Sequence, residues 1–168
     1  MIVLVMGVSG SGKTTIGEAL ATALGWRYLD ADDFHPQANV AKMAAGIPLE
    51  DEDRWPWLER INEKLSDLQE RGQSAVLGCS ALKEAYRQRL AHGLRDFRVV
   101  YLHGSFDLIK RRVTARRHRY MPASLLRSQF DTLEPPADAI EIDVAAPMED
   151  SISAIRKHLQ PRAAAGTR

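Results

Sequence analysis

This 168-residue sequence predicts an α/β fold: five parallel strands in one sheet, helices on both faces, and a ligand site at the carboxyl ends of the strands. Three observations lead there. Apolar runs suited to buried strands alternate with stretches of helical periodicity along the whole chain. No Asn-Gly hairpin signal separates consecutive strands, so each return is a right-handed crossover. Residues Gly7 to Thr14 read Gly-Val-Ser-Gly-Ser-Gly-Lys-Thr and fit the pattern G-x-x-x-x-G-K-[ST] directly after the apolar run Ile2 to Met6.

The first strand is Ile2 to Met6. Ile16, Leu20 and Leu24 then fall at helical spacing from Lys13 onward, with Gly25 as the stop. A short strand, Arg27 to Leu29, delivers Asp30 and Asp32 at its end. Leu58, Ile61, Leu65 and Leu68 mark one face of a longer helix ending at Gly72. Ser74 to Cys79 reads as a buried strand, and Leu82, Tyr86 and Leu90 as a helical face ending near Gly93. Phe97 to Leu102 is rich in strand-forming residues, and Phe106, Ile109 and Val113 continue as helix. Leu125, Leu126, Phe130 and Leu133 predict another helix, ended by Pro135 and Pro136. A last strand, Ala139 to Val144, and a helix carrying Met148, Ile152, Ile155 and Leu159 complete one domain over residues 1–160, with 161–168 expected to be a flexible tail.

The glycine-rich loop carries the sharpest chemical signal. A strand ending at Met6 and a helix starting near Lys13 leave a loop whose N–H groups cradle phosphate oxygens at the positive end of the helix. The nucleotide-binding run is Gly7, Val8, Ser9, Gly10, Ser11, Gly12, Lys13, Thr14 and Thr15. Lys13 lies along the β- and γ-phosphates of ATP, and the Thr14 hydroxyl coordinates Mg²⁺.

Asp30 and Asp32 have i, i+2 spacing, so continued strand geometry would turn both to one side beside the γ-phosphate. One carboxylate can hold Mg²⁺ through water while the other orients and deprotonates an acceptor hydroxyl. The competing reading makes them a helix N-cap and a solvated neighbour. Residues 35–58 carry His35, Asn39, Lys42, Asp51, Asp53, Arg54 and Trp57 among few long apolar runs, the composition of a segment that binds a hydroxylated, anionic small molecule. Asp53 is equally suited to capping the helix that follows, and Trp55 and Trp57 to packing. Lys83 and Arg87 share a helix face after the third strand and can meet an acid group or a product phosphate, although Arg87 suits a plain surface role equally well. Lys110, Arg111, Arg112, Arg116, Arg117 and Arg119 crowd residues 110–119. Lys110 and Arg112 fit a solvated face, whereas Arg116 and Arg119 begin a lid over 116–124 that could bring guanidinium groups to the transferring phosphate.

Composition excludes other classes. A net charge of +1 gives no electrostatic reason to expect a nucleic-acid partner. The single Cys79 cannot close an intramolecular disulfide, and no His/Cys cluster has zinc spacing. The apolar N-terminus lacks the basic leader of a signal peptide, and no run approaches the roughly 20 apolar residues of a membrane span. A cytoplasmic protein without membrane partner is the expectation.

These motifs resemble the gluconate kinase family, small enzymes related to shikimate and nucleoside-monophosphate kinases. The resemblance rests on Met6 to Lys13, on Leu29-Asp30-Ala31-Asp32 with His35-Pro36, and on the run from Asn39 through Lys42-Met43, Gly46, Pro48-Leu49, Asp51 and Asp53-Arg54 to Pro56-Trp57-Leu58. It extends to Cys79 through Lys83 with Tyr86-Arg87, and to Ser128-Gln129-Phe130 with Leu133-Glu134. It implies a P-loop NTP-hydrolase fold, a three-layer αβα sandwich of nucleoside-monophosphate-kinase type with a substrate-binding insert and a lid. It implies transfer of the ATP γ-phosphoryl group to the 6-hydroxyl of D-gluconate, with Mg²⁺, and a homodimer. By position, Lys13, Asp32 and Arg116 are catalytic, Asp32 being the base, and Thr14 and Asp30 hold the metal. Arg116 and Arg119 meet the nucleotide, and Asp32, His35, Lys42, Arg54, Lys83, Arg87 and Gln129 bind the acceptor. Two departures stand out. Arg119 precedes Tyr120 where the family lid has histidine, with His118 one place early, and the third strand ends in Cys79-Ser80 rather than an aspartate, so Mg²⁺ relies on Thr14, Asp30 and water. A kinase of another small hydroxy acid and a non-catalytic ATP-binding switch remain the alternatives.

Overall fold

The computed structural model describes residues 1–115 and 123–160. Its elements run β1 (Ile2–Met6), α1 (Lys13–Leu24), β2 (Arg27–Asp30), a 3-10 turn (Ala31–Phe34), α2 (Gln37–Ala44), α3 (Asp51–Glu70), β3 (Ala75–Gly78), α4 (Glu84–Ala91), β4 (Phe97–His103), α5 (Phe106–Ala115), α6 (Ala123–Thr132), β5 (Ile140–Asp143) and α7 (Met148–Leu159). The predicted five-stranded parallel sheet is present, in the order β2-β3-β1-β4-β5.

Central β1 explains the layering. All five of its residues are buried, and because side chains alternate along a strand they feed two separate cores. Ile2, Leu4 and Met6 pack with Leu58, Ile61 and Leu65 of α3 and Tyr86 and Leu90 of α4. Val3 and Val5 face the opposite layer, built from Leu20 of α1, Ile109 and Val113 of α5, Leu126 of α6 and Ile155 of α7. The register pairs Val5 with Gly78 on one side and Val100 on the other, so β1 and β3 end within a residue of each other while β4 runs on to His103.

Predicted and observed boundaries differ by one to a few residues at most strands and helices, with three informative exceptions. Leu82 and Leu133 lie just outside the helices assigned to them, packing from the flanking turns. Helix α3 begins at Asp51, seven residues before the apolar face that announced it, and carries Pro56 in its second turn. Helix α2, inside the segment 35–58, had no apolar periodicity to reveal it: only Asn39 is buried among its eight residues. Among the described residues no helix is long and apolar enough to cross a membrane.

Candidate active site

The loop after β1 is shaped by backbone conformations that favour glycine. Gly10 has φ 81° and Gly12, the N-cap of α1, has φ 94°. A Cβ at Gly7 would lie 2.6 Å from the Ser11 hydroxyl oxygen and 2.7 Å from the Leu102 carbonyl oxygen, so only glycine lets the loop fold this closely over the sheet. Helix α1 starts without a side-chain cap and without an acidic residue in its first turn. Its positive end is therefore presented uncompensated, as an anion site requires. Lys13 lies back across the loop, its Nζ donating to the Val8 carbonyl at 3.1 Å. The buried Ser11 hydroxyl has no hydrogen-bond partner among the described residues. Glycine-only backbone, an open helix terminus and an orphaned hydroxyl together fit a polyphosphate.

The β2 tip corrects one expectation. Strand geometry stops at Asp30, and the chain turns into the 3-10 segment, where Asp30 Oδ1 accepts from the Asp32 N–H at 2.9 Å. Asp30 thus takes the N-cap role that competed with the parallel-carboxylate reading, because an extended Asp at a turn start is well placed to satisfy an otherwise orphaned N–H. Both acids nevertheless line one cavity of about 500 Å³ with Lys13, Thr14, Thr15, Tyr28 and Ser80. The Asp32 side chain is 71% exposed there, 3.8 Å from His35 Nε2. The oxygen donors at hand, Thr14 and Asp30, suit Mg²⁺, a hard cation that keeps waters and phosphate oxygens as its remaining ligands.

A second cavity of about 500 Å³ adjoins the first and shares Ser80 with it. His35, Arg54, Lys83 and Gln129, four of the residues assigned to the acceptor, line it together with Glu50, Asp51, Trp57 and Tyr86. Asp51 is its hub: it accepts from Lys83 Nζ at 3.0 Å and from the Tyr86 hydroxyl, and lies 3.9 Å from Arg54 Nη1. The Tyr86 and Lys83 hydrogen bonds hold the Asp51 carboxyl below its usual range, and that pairing raises Lys83 in turn. The His35 ring stacks on Trp57 with centroids 4.3 Å apart, and its burial pulls the imidazole below its ordinary value.

Two predicted acceptor ligands do other work. Lys42 is not on the cavity wall; its ammonium pairs with Asp53 at 2.8 Å, and Asp53 also closes a capping box with Glu50 at the start of α3. The capping reading of Asp53 is the one observed. Arg87 is only 4% exposed, so neither a ligand nor a surface role fits it. Its guanidinium donates to the Ala81 and Leu82 carbonyls at 2.9 and 3.1 Å and to Glu84, pinning the loop after β3 around Ala81, whose φ of 42° is unusual for a residue with a side chain. Arg112, expected on a solvated face, donates to the Val144 carbonyl at 2.5 Å beside a smaller cavity against Gly12, Thr15, Ala146 and Met148. Arg116, Arg119, His118 and lid residues 116–122 lie outside the described residues.

The family model described as an AAA domain matches residues 2–136. A probable gluconokinase of Xenopus tropicalis is 44% identical over 95% of this chain and 92% of its own length. The thermosensitive gluconokinase of Escherichia coli K12 is 43% identical over 84% of this chain and 78% of its own length. The chain belongs to the gluconokinase family. A crystal structure of a gluconokinase from Sinorhizobium meliloti 1021 superposes with TM-score 0.81 at 42% identity, covering 90% of this chain and 87% of that one. An APS kinase from Mycobacterium tuberculosis, at 17% identity and TM-score 0.69, shares the fold.

Within this gluconokinase framework one pairing and one residue escaped sequence reasoning. Asp51 was placed in the acceptor segment and Tyr86 on a helical face, but their pairing is a contact between residues 35 positions apart that no local pattern announces. Tyr28 went unnoticed, yet it lines the phosphate-side cavity, burial pushes its phenol up to about 12, and its hydroxyl interacts with that of Thr14. A signal for it existed. Gly17 lies within a helix and Gly78 at the end of a strand, both positions where glycine is unfavourable, and a Cβ at either would collide with the Tyr28 ring. The Cys79 thiol, buried at the β3 tip and pushed up to about 12, stays a neutral packing group.

Proposed function

We propose that this protein transfers the γ-phosphoryl group of ATP to the 6-hydroxyl of D-gluconate, giving 6-phospho-D-gluconate. The observation that carries this reading is the junction at Ser80 of two cavities of different chemistry: one with glycine loop, Lys13 and acid pair, the other with Arg54 and Lys83 set among Asp51, Tyr86 and His35. Arg54 and Lys83 supply cationic donors for the carboxylate of a sugar acid, and the acidic Asp51 and Glu50 lie on the same wall. Asp51, Tyr86 and neutral His35 offer donors and acceptors to its hydroxyls.

Asp32 orients the 6-hydroxyl and takes its proton as the oxygen forms its bond to phosphorus and the bond to the bridging oxygen of ADP breaks. Lys13 and the α1 terminus neutralise charge on the β- and γ-phosphates. Thr14 and Asp30 would hold Mg²⁺, which when bound supplies further charge neutralisation. Arg116 and Arg119, on the lid, belong to the same proposal as nucleotide contacts, as do a single catalytic domain over residues 1–160, a cytoplasmic setting and a homodimer. Phosphoryl transfer from ATP measured across a panel of aldonic acids and shikimate tests the reading. Turnover dependent on gluconate is expected; ATP consumption indifferent to every acid would end it.

A further inference from the structure

The carboxamide of Gln129 joins the two cavities. Its Oε1 accepts from the Ser9 N–H at 2.7 Å, and its Nε2 donates to the Ser9 hydroxyl at 3.1 Å, a pair of bonds between α6 and the phosphate loop 120 residues away. The oxygen faces an N–H donor, which fixes the amide orientation. The same side chain lines the acceptor cavity opposite His35, Arg54 and Lys83. A primary amide has two N–H donors and two acceptor lone pairs, and Ser9 uses one of each. One donor and one acceptor remain, the complement of a sugar hydroxyl.

The chain just past the C-terminus of the helix bearing Gln129 is bonded to the acceptor wall. The Glu134 N–H donates to the Leu82 carbonyl at 2.8 Å, and its carboxylate accepts from the Glu84 N–H at 2.6 Å, beside Lys83 at the start of α4. The loops after β1 and β3 are therefore braced through one helix. An acceptor that engages Gln129 stiffens its grip on Ser9, and a loop held by triphosphate fixes Gln129 for the acceptor.

We propose that Gln129 is a positioning residue coupling the two sites, so that sugar acid and nucleotide each tighten the binding of the other. The inference rests on the gluconokinase reading. Its test measures dissociation constants for a non-hydrolysable ATP analogue with and without saturating gluconate, and for gluconate with and without the analogue. The native protein should show an equal gain of about fivefold or more in both directions, since thermodynamic coupling is reciprocal. In Gln129→Ala the gain should fall to near one while each ligand still binds alone. Ser9→Ala, which keeps the bond from the Ser9 N–H, should retain part of it, and thermal melts confirm that each variant is folded. Native protein binding both ligands independently would overturn the coupling alone, as would a folded Gln129→Ala with the full gain. Native protein that fails to bind gluconate at all would overturn the functional reading and this inference together.

Discussion

Gly10→Ala separates two physical demands on the phosphate loop. At φ 81° an alanine costs about 1–2 kcal/mol. Its methyl group would also collide with Cγ2 of Val113, a buried residue of α5, and forcing a methyl into a packed contact costs about 1–3 kcal/mol. The empty loop escapes both costs by relaxing, and must be driven back to grip a triphosphate, so the loss appears as weakened binding. Together the two costs amount to about 2–5 kcal/mol, or roughly 30- to 3000-fold at about 1.4 kcal/mol per tenfold. Adding Val113→Ala removes the collision but leaves the dihedral cost. The double variant should therefore recover about 5- to 100-fold of the lost affinity without reaching the native value. Equilibrium titration with a fluorescent ATP analogue measures both, with thermal melts to account for the cavity that Val113→Ala opens. Gly10→Ala binding within threefold of native would refute the cradle geometry. A double variant no tighter than the single one would refute the assignment of the steric share to Val113.

Asp32→Asn should lower kcat by about 10²- to 10⁴-fold, the range for loss of a general base, while leaving ATP affinity within a few fold; full turnover with ATP bound would remove Asp32 as base. Arg87→Ala should lower stability by about 1–3 kcal/mol in denaturant titration, because the Ala81 carbonyl loses its guanidinium donor inside the fold while the Leu82 carbonyl keeps only the Glu134 N–H; a variant as stable as native, with only gluconate KM raised, would return Arg87 to the ligand set. His35 is held below its ordinary value chiefly by burial, with Arg54 adding and Asp32 opposing. The unfolded chain therefore binds more protons than the folded one just below pH of about 6.5, so the stability from a neutral His35 is complete above that pH and lost on acidification. His35→Phe, which keeps the stack on Trp57, should flatten the fall in melting temperature between pH 7 and 5; an unchanged slope would place the titration elsewhere.

The fold was readable because parallel strands buried on both faces announce themselves as continuous apolar runs, as Ile2 to Met6 does, and because glycines punctuate the helices, as Gly25 does in the left-handed conformation that ends α1. What could not be read were side chains whose partners are distant. Lys42 and Arg87 carry the charge of anion ligands, and nothing local to either residue announces that Asp53 or the carbonyls of Ala81 and Leu82 already occupy them. The same-side geometry expected of Asp30 and Asp32 failed for a different reason. Their i, i+2 relation has meaning only while a strand lasts, and a strand of four residues ends where its cross-strand partner does, at Gly78.

The two cavities solve opposite electrostatic problems. The phosphate side must receive a polyanion, and it does so with neutral N–H groups, one lysine and a helix end free of acidic residues, so that nothing within the loop competes for the ligand's charge. The acceptor side must receive a single negative charge on a flexible polyol, and there two cations without a counterion would repel each other in the empty state. Asp51 resolves this by holding Lys83 and sitting within reach of Arg54. Tyr86 and Lys83 hold its carboxyl below the usual range, so the pairing persists across the neutral range. Removing that carboxylate would release Lys83 and leave Glu50 as the acid beside the two cations. Asp51 thus acts on the substrate's charge through the cations it restrains.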